Sequence, residues 1–308
     1  MTTFRSNGKL LLTAEYVVLD GAKALALPTK FGQSLTVEPI KESNLFWQSI
    51  DHNGNVWFED VFPMEKNTLS FSKPSNDLSK RVIQILNAAK QLNPNFLFPS
   101  IGTEGGFSIT TKLDFPENWG LGSSSTLINN ISNWAHINAY DLLELTFGGS
   151  GYDIACAKDN NPITYQINKL DNTQVTNTVD FNPSFREELF FVHLNKKQDS
   201  REGIDHYNKN KHNLTSTIIE INTLTDSIIN CQTISEFESL ITKHEQIISK
   251  LINLPTVKTR LFSDYSGTIK SLGAWGGDFI LATGNESYMD YFKQKGYQTI
   301  IPYREMVL

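Results

Sequence analysis

Four short stretches of this 308-residue chain carry residue types at spacings that suit chemistry. The first is Gly120-Leu121-Gly122-Ser123-Ser124-Ser125. Glycines let the backbone take positive φ and approach a ligand closely, while successive N–H groups at a helix start favour phosphate. The three hydroxyls add donors and an oxygen suited to Mg²⁺. Taken alone, the stretch reads equally well as a flexible Ser/Gly loop. About thirty residues on, Gly148-Gly149-Ser150-Gly151-Tyr152-Asp153 closes a tight turn with one acid, which reads as a catalytic group or as a helix cap. Gly273-Ala274-Trp275-Gly276-Gly277-Asp278 reads by itself as an ordinary glycine turn. The fourth is Lys9, after Asn7-Gly8, with Glu15 and Tyr16 following; a lone lysine is usually a solvated one.

The elements that must position these residues show in the periodicity. Strand-like runs cover Lys9 to Thr13, Lys23 to Leu27, Ser34 to Pro39, Leu45 to Ile50 and Val56 to Val61, the last two around an Asn53-Gly54 turn. Trp47, Trp57 and Phe58 flank that hairpin and read as core, or one of them as an adenine contact. A helix with Ser75 or Asn76 as N-cap presents Leu78, Val82, Ile85, Leu86 and Ala89 on one face, and Asn93-Pro94 stops it. Phe107, Ile109, Thr111, Leu113 and Phe115 alternate as a half-buried strand. Leu127, Ile128, Ile131, Trp134 and Ala135 then recur at helical spacing, so the serine-glycine loop runs from a strand into a helix N-terminus.

The polar stretch from Lys169 to Pro183 marks the junction, giving a division into 1–180 and 181–308. Beyond it come a strand at Glu188 to Asn195 and a helix with Leu214, Ile218, Ile221, Leu224 and Ile228 on one face. A second helix opens with the capping box Thr233-x-x-Glu236, and strands follow at Phe279 to Thr283 and Thr299 to Pro302.

Composition narrows the class. A net charge of −6 and a pI near 5.6 provide no basic field for a polyanion, so a nucleic-acid partner is not expected and a small ligand is. No apolar run approaches the ~18–20 residues needed to cross a bilayer, so no membrane partner is expected either. Two cysteines, Cys156 and Cys231, in segments that read as ordered, and a start without signal-like character, fit a reduced, cytoplasmic setting. His193, His206 and His244 lack metal-ligand spacing. The sequence leaves open whether the chain is a monomer or a homodimer.

Taken in order along the chain, Gly8-Lys9 with Glu15-Tyr16, the loop Gly120 to Ser125, Gly149-Ser150-Gly151-Tyr152-Asp153, and Lys270-Ser271 with Gly273-Ala274-Trp275-Gly276-Gly277-Asp278 resemble the signature blocks of the GHMP kinases (galactokinase, homoserine kinase, mevalonate kinase, phosphomevalonate kinase). Glu15-Tyr16 and Gly149-Ser150-Gly151 look closer to phosphomevalonate kinases than to mevalonate kinases. The resemblance implies a two-domain α+β fold, with an N-terminal domain like ribosomal protein S5 domain 2 and a ferredoxin-like C-terminal domain. It also implies ATP and Mg²⁺ as cofactors. By position, Gly120, Leu121, Gly122, Ser123, Ser124 and Ser125 would wrap the ATP phosphates, with Ser124 on Mg²⁺. Asp153 and Lys9 would be catalytic. Glu15, Tyr16, Ser150, Gly151, Gly273, Ala274, Gly276 and Gly277 would form the substrate or phosphate loops.

Departures bear on the acceptor. Asn7, Ala14 and Trp275 stand where the family usually has Pro, Gly and Gly, and Asn118-Trp119 occupy a place that is often basic. Lys196, Lys197, Ser200 and Arg201 supply alternative acceptor contacts or form a solvated turn. Glu144 supplies a second metal ligand or simply faces solvent. The implied activity is ATP-dependent phosphorylation of phosphomevalonate, with mevalonate as the alternative acceptor. A non-catalytic ATP or metabolite sensor of the same fold is the alternative from another class; a decarboxylase matches the block Gly120 to Ser125 less well.

Overall fold

The computed structural model describes residues 1–65, 68–69, 76–97, 105–197 and 200–308; Ser75, one of the two alternative N-caps, lies outside them. Contacts divide the chain into two compact units, one of residues 1–8, 31–117 and 122–158, the other of residues 9–30, 118–121 and 159–308. The division at 180/181 drawn from sequence and this division do not coincide. The polar stretch that marks it contains an edge strand whose five residues are all exposed, so the stretch loses hydrophobic patterning without leaving its sheet.

Two strands, β1 (Thr2–Leu11) and β2 (Ala24–Ile40), enter both units. The runs Lys23 to Leu27 and Ser34 to Pro39, separate in the sequence reading, belong to one strand of 17 residues that contains Pro28. Proline is tolerated where its missing N–H is not needed by a neighbouring strand, and the Pro28 carbonyl is used, accepting from Leu308 N at 3.1 Å. In the first unit, β3 (Asn44–Ile50), β4 (Val56–Glu65) and β5 (Thr68–Leu69) precede α1 (Asp77–Leu92) and β6 (Gly106–Leu113), and the strands run in the order β5-β4-β3-β6-β2. β3 and β6 are parallel and the other pairs antiparallel.

Side chains alternate across a strand, and this corrects one reading: Trp47 and Phe58 are buried, while Trp57, next to Phe58, points the other way and is 40% exposed. α1 is capped by Asn76, whose side chain accepts from Ser79 N, and it buries Val82, Ile85, Leu86 and Ala89 but leaves Leu78 exposed. Against it and one another pack α2 (Ser123–Ala135) and α3 (Ala139–Thr146), with α4 (Tyr152–Lys158) on α2.

In the second unit β7 (Ile163–Ile167) pairs with Ala24–Ala26 of β2 and with β8 (Gln174–Thr178). Then follow β9 (Leu189–His193), α5 (Ser200–Asn210), α6 (Leu214–Asn230), α7 (Ile234–Ile252), α8 (Val257–Leu261), β10 (Ile269–Ser271), β11 (Phe279–Thr283), α9 (Asp290–Gln294), β12 (Ile300–Pro302) and α10 (Tyr303–Met306). The antiparallel sheet runs β10-β11-β9-β12, so the first of its four strands in sequence lies inside and the hairpin at one side, the ferredoxin-like split β-α-β arrangement. α7 starts at the Thr233 cap, which accepts from Glu236 N at 3.2 Å. The Glu236 carboxylate reaches back to Gln232 N at 3.3 Å, one residue before the N–H of the usual reciprocal box. No helix among the described residues is long and apolar enough to cross a membrane.

Candidate active site

The serine-glycine loop enters α2 through Gly122, held at φ 91°, with Gly120 at 67°; both angles lie in the left-handed region that L side chains avoid. Ser125 is already engaged, its Oγ donating to Gly122 O at 2.9 Å, whereas Ser124 is exposed on the first turn of a 13-residue helix. Unpaired backbone N–H groups and the helix dipole make that turn attractive to an anion. α2 itself is fixed from behind by buried neutral groups. Ser6 Oγ donates to Asn130 Oδ1 (2.8 Å) and accepts from Asn129 Nδ2 (2.9 Å), Asn130 Nδ2 donates to Gln33 O (3.0 Å), and Thr126 Oγ1 to Gln33 Oε1 (2.8 Å).

α4 packs on α2 and carries Asp153 in its first turn, after Gly148, Gly149 and Gly151, all at positive φ. Asp153 is half-buried, and its Oδ1 is shielded from solvent with no hydrogen-bond partner, so this oxygen caps nothing. A buried acceptor left unmade is costly, which makes it a marked position in the fold. Glu144, on α3 of the same unit, is exposed.

The second unit gathers the rest. Lys9 donates from its backbone to Leu121 O (3.0 Å) and from Nζ to Gly120 O (3.1 Å), tying the lysine to the start of the serine-glycine loop. Asp278 packs its carboxylate against the Gly120 α-carbon so closely that a Cβ there would collide with it, which explains why that position is glycine. Tyr16 is buried, a position that holds its phenol above the ordinary value. Its ring stacks on Tyr207 of α5 at 5.7 Å, and a Cβ on Gly203 of α5 would come within 2.6 Å of its hydroxyl oxygen. That oxygen accepts from Trp275 N at 2.9 Å, so Tyr16 joins the third loop to the helix that carries Arg201. Lys196, Lys197 and Arg201 are exposed; Ser200 opens α5. Of these four residues Ser200 and Arg201 lie in α5, and Lys196 and Lys197 precede it.

Glu15, grouped above with the substrate or phosphate loops, is fully buried in an ion pair with Lys270. Trp275, which stands where the family usually has Gly, is buried, and its Nε1 donates to Pro255 O at 3.1 Å. The flanking Gly273 (φ 66°) and Gly276 (φ 94°) keep the loop's turn. Sequence reasoning misses Arg260 of α8, whose guanidinium donates to Gly276 O at 3.3 Å and would lie 2.7 Å from a Cβ at Gly276. Its only sequence signal is position after the Pro255 stop, which says nothing about a loop sixteen residues on. His193 Nε2 sits 3.2 Å from Asn118 O, and Trp119 packs edge-on to Phe279, so Asn118-Trp119 serve packing within this unit.

Glu15, His244 and Glu245 present possible metal-ligand atoms within 4.8 Å of one another, all buried. The Lys270 ammonium bonds to both carboxylates, however, and already supplies the cation there.

No protein-family model matches the sequence, and no curated protein matches it by sequence. Solved structures match the fold over nearly the whole chain. The mevalonate kinase of Methanococcus jannaschii aligns with a TM-score of 0.70 at 16% identity, over 97% of this chain and 96% of that one. Streptococcus pneumoniae phosphomevalonate kinase, in complex with phosphomevalonate and AMPPNP, aligns with a TM-score of 0.70 at 14% identity, over 97% and 99%. Lactococcus lactis galactokinase complexed with galactose gives 0.64 at 12%, over 97% and 93%. The chain therefore has the two-part α+β fold of the GHMP kinases.

Proposed function

We propose that the protein is an ATP-dependent small-molecule kinase that phosphorylates an isoprenoid-pathway acceptor, and that the acceptor is phosphomevalonate. The observation that carries the proposal is the buried, unpartnered Oδ1 of Asp153, on a helix packed against the helix that the serine-glycine loop opens. A carboxylate oxygen with no structural partner is placed to accept an acceptor hydroxyl proton or to orient that hydroxyl. The loop residues Gly120 to Ser125 bind the ATP phosphates through backbone N–H groups. Lys9, steered by Gly120 O, offsets charge on the transferred group. Tyr16 and Gly273 to Gly277 hold the acceptor. Phosphoryl transfer rests mostly on positioning and charge stabilisation, so this set suffices.

Ser124 and Glu144 would hold Mg²⁺, since both are exposed and a hydroxyl and a carboxylate are hard oxygen ligands. When bound, the ion neutralises phosphate charge. Arg260, Lys197 and Arg201 support a phosphorylated acceptor by supplying cations in the unit that holds the glycine loop. One observation favours mevalonate as the second reading: Asn118-Trp119, which supply no cation, are taken up in packing.

A coupled ADP-release assay against phosphomevalonate, mevalonate, homoserine and sugars tests the acceptor. Asp153→Asn is expected to lower single-turnover rate by roughly 10²–10⁴-fold while nucleotide affinity stays within about threefold. ADP release with none of the acceptors, alongside tight ATP binding, would favour a non-catalytic sensor instead. An unchanged rate in the Asn variant would make Asp153 a structural residue.

A further inference from the structure

Three consecutive residues of the turn after β1 each reach a different element of the second unit. Ala14 N donates to His244 Nε2 on α7 at 2.9 Å, Glu15 pairs with Lys270 on β10, and the Tyr16 hydroxyl accepts from Trp275 N in the glycine loop at 2.9 Å. Ala14 and Tyr16 both take positive φ, at 66° and 62°, a conformation that costs a side-chain-bearing residue of order 1 kcal/mol and persists where surrounding contacts over-determine it.

Through Lys270, the Glu15 contact leads on to Glu245, the neighbour of His244 on α7. Its Oε1 accepts from Lys270 Nζ and from Ser271 N, both at 3.1 Å, and its Oε2 accepts from Ser271 Oγ at 3.2 Å. Lys270 Nζ in turn places its three donors on Glu15, on Glu245 and on Ser271 O at 2.6 Å. All four ionisable side chains are at most 3% exposed. A buried ion cluster is a poor source of stability compared with apolar side chains of the same volume, so its use at this place points to geometry. Ser271 leads through Leu272 into Gly273, so fixing Ser271 fixes where the loop begins.

We infer that Glu245, Lys270 and His244 are positioning residues that hold the Ala14–Glu15–Tyr16 turn and the Gly273–Gly277 loop in one register. The inference rests on the proposed function for the claim that these segments serve the acceptor; the coupling between them stands on the contacts alone. Glu245→Gln keeps the side chain's shape but removes the charge that pins Lys270, and Tyr16→Phe removes only the acceptor for Trp275 N.

Amide hydrogen exchange on the whole protein reads the coupling without any substrate. In Glu245→Gln, exchange should rise about tenfold or more in both 14–18 and 271–277 while β9 and β11 stay within about twofold. In Tyr16→Phe the rise should be confined to 273–277. In steady-state assays, Glu245→Gln should lower kcat/KM for the acceptor about tenfold or more and leave ADP affinity within about threefold. Unchanged exchange in both segments overturns the inference, and so does a uniform rise across the unit, which marks a merely structural role. If wild type turns over no acceptor but the exchange pattern appears, the coupling holds and the kinase reading is what fails. Should Glu245→Gln not fold, the milder Ser271→Ala, which removes one bond to Glu245, carries the same exchange test.

Discussion

Behind the serine-glycine loop, α2 is fixed by hydroxyls and amides: Ser6, Gln33, Thr126, Asn129 and Asn130, all buried. Behind the third glycine loop, β10 is fixed by two carboxylates and one ammonium, also buried. The neutral network has no proton to gain or lose. The charged one holds a negative excess that burial resists. Burial, opposed by Lys270 and reinforced by Glu245, raises the Glu15 carboxyl from 4.5 to about 7. Burial also raises Glu245 and holds His244 well below its ordinary value, so the imidazole is neutral and its Nε2 is open to Ala14 N–H. The same task, orienting a loop, is done in one unit by groups indifferent to pH and in the other by groups that are not.

Removing the ammonium should produce the largest effect. Lys270→Met leaves two buried carboxylates uncompensated, a change that typically costs ~3–5 kcal/mol. Chemical denaturation should show a loss of that order, and combining it with Glu15→Leu and Glu245→Leu should recover most of it. A Lys270→Met protein as stable as wild type would erase the distinction between the two networks.

The pH dependence comes next. Glu15 is faced by Lys270 from β10, by Glu245 and His244 from α7, and by its neighbour Tyr16. A carboxyl raised on folding contributes stability that is fully present below its unfolded value of 4.5 and is lost as pH rises through about 7, at most about 3 kcal/mol here. Wild type should therefore lose stability relative to Glu15→Gln between those pH values. The difference between the two proteins cancels the exposed carboxylates, such as Asp51 and Asp264, whose lowered values act in the opposite direction. Parallel stability curves for the two proteins would mean that Glu15 is ionised throughout.

How far the sequence reaches follows the same contrast. The serine-glycine loop at a helix start was legible because glycine spacing and the 3.6 period of Ile128, Ile131 and Ala135 are local signals. The ferredoxin-like unit was legible only through family resemblance, since periodicity finds β9, β11 and β12 but neither the three-residue β10 nor the order of the strands. Glu15 could not be placed, because Lys270 lies 255 residues further on and nothing near Glu15 announces burial. The length of β2 was not legible from its two separate runs, and the partner of the Pro28 carbonyl between them lies at the other end of the sequence, at Leu308. Arg260 shares that difficulty, since a guanidinium over Gly276 is a product of tertiary packing.

The neutral network should respond more mildly. Asn130→Ala removes the acceptor for Ser6 Oγ and the donor to Gln33 O, leaving buried polar groups unpaired at a cost of ~1–3 kcal/mol. Measured across the same pH range as the Glu15 pair, that loss should be constant. A loss that varies with pH would show that the network couples to a titrating group and would narrow the contrast.

The smallest effect separates burial from charge as the cause. Arg5, next to Ser6 on β1, pairs with Asp114 at 2.6 Å, but the two side chains are 48% and 34% exposed. Water screens such a pair and each partner keeps its hydration, so exposed pairs contribute only ~0.2–1 kcal/mol. Arg5→Ala should fall in that range, and the loss should shrink toward zero in 1 M salt, where the screening length is about 3 Å. The Lys270→Met loss should survive the same salt, because no ion reaches a side chain of 0% exposure. If salt instead weakens both effects alike, the Lys270 cluster is open to solvent, and the contrast between the two units is one of sequence rather than of burial.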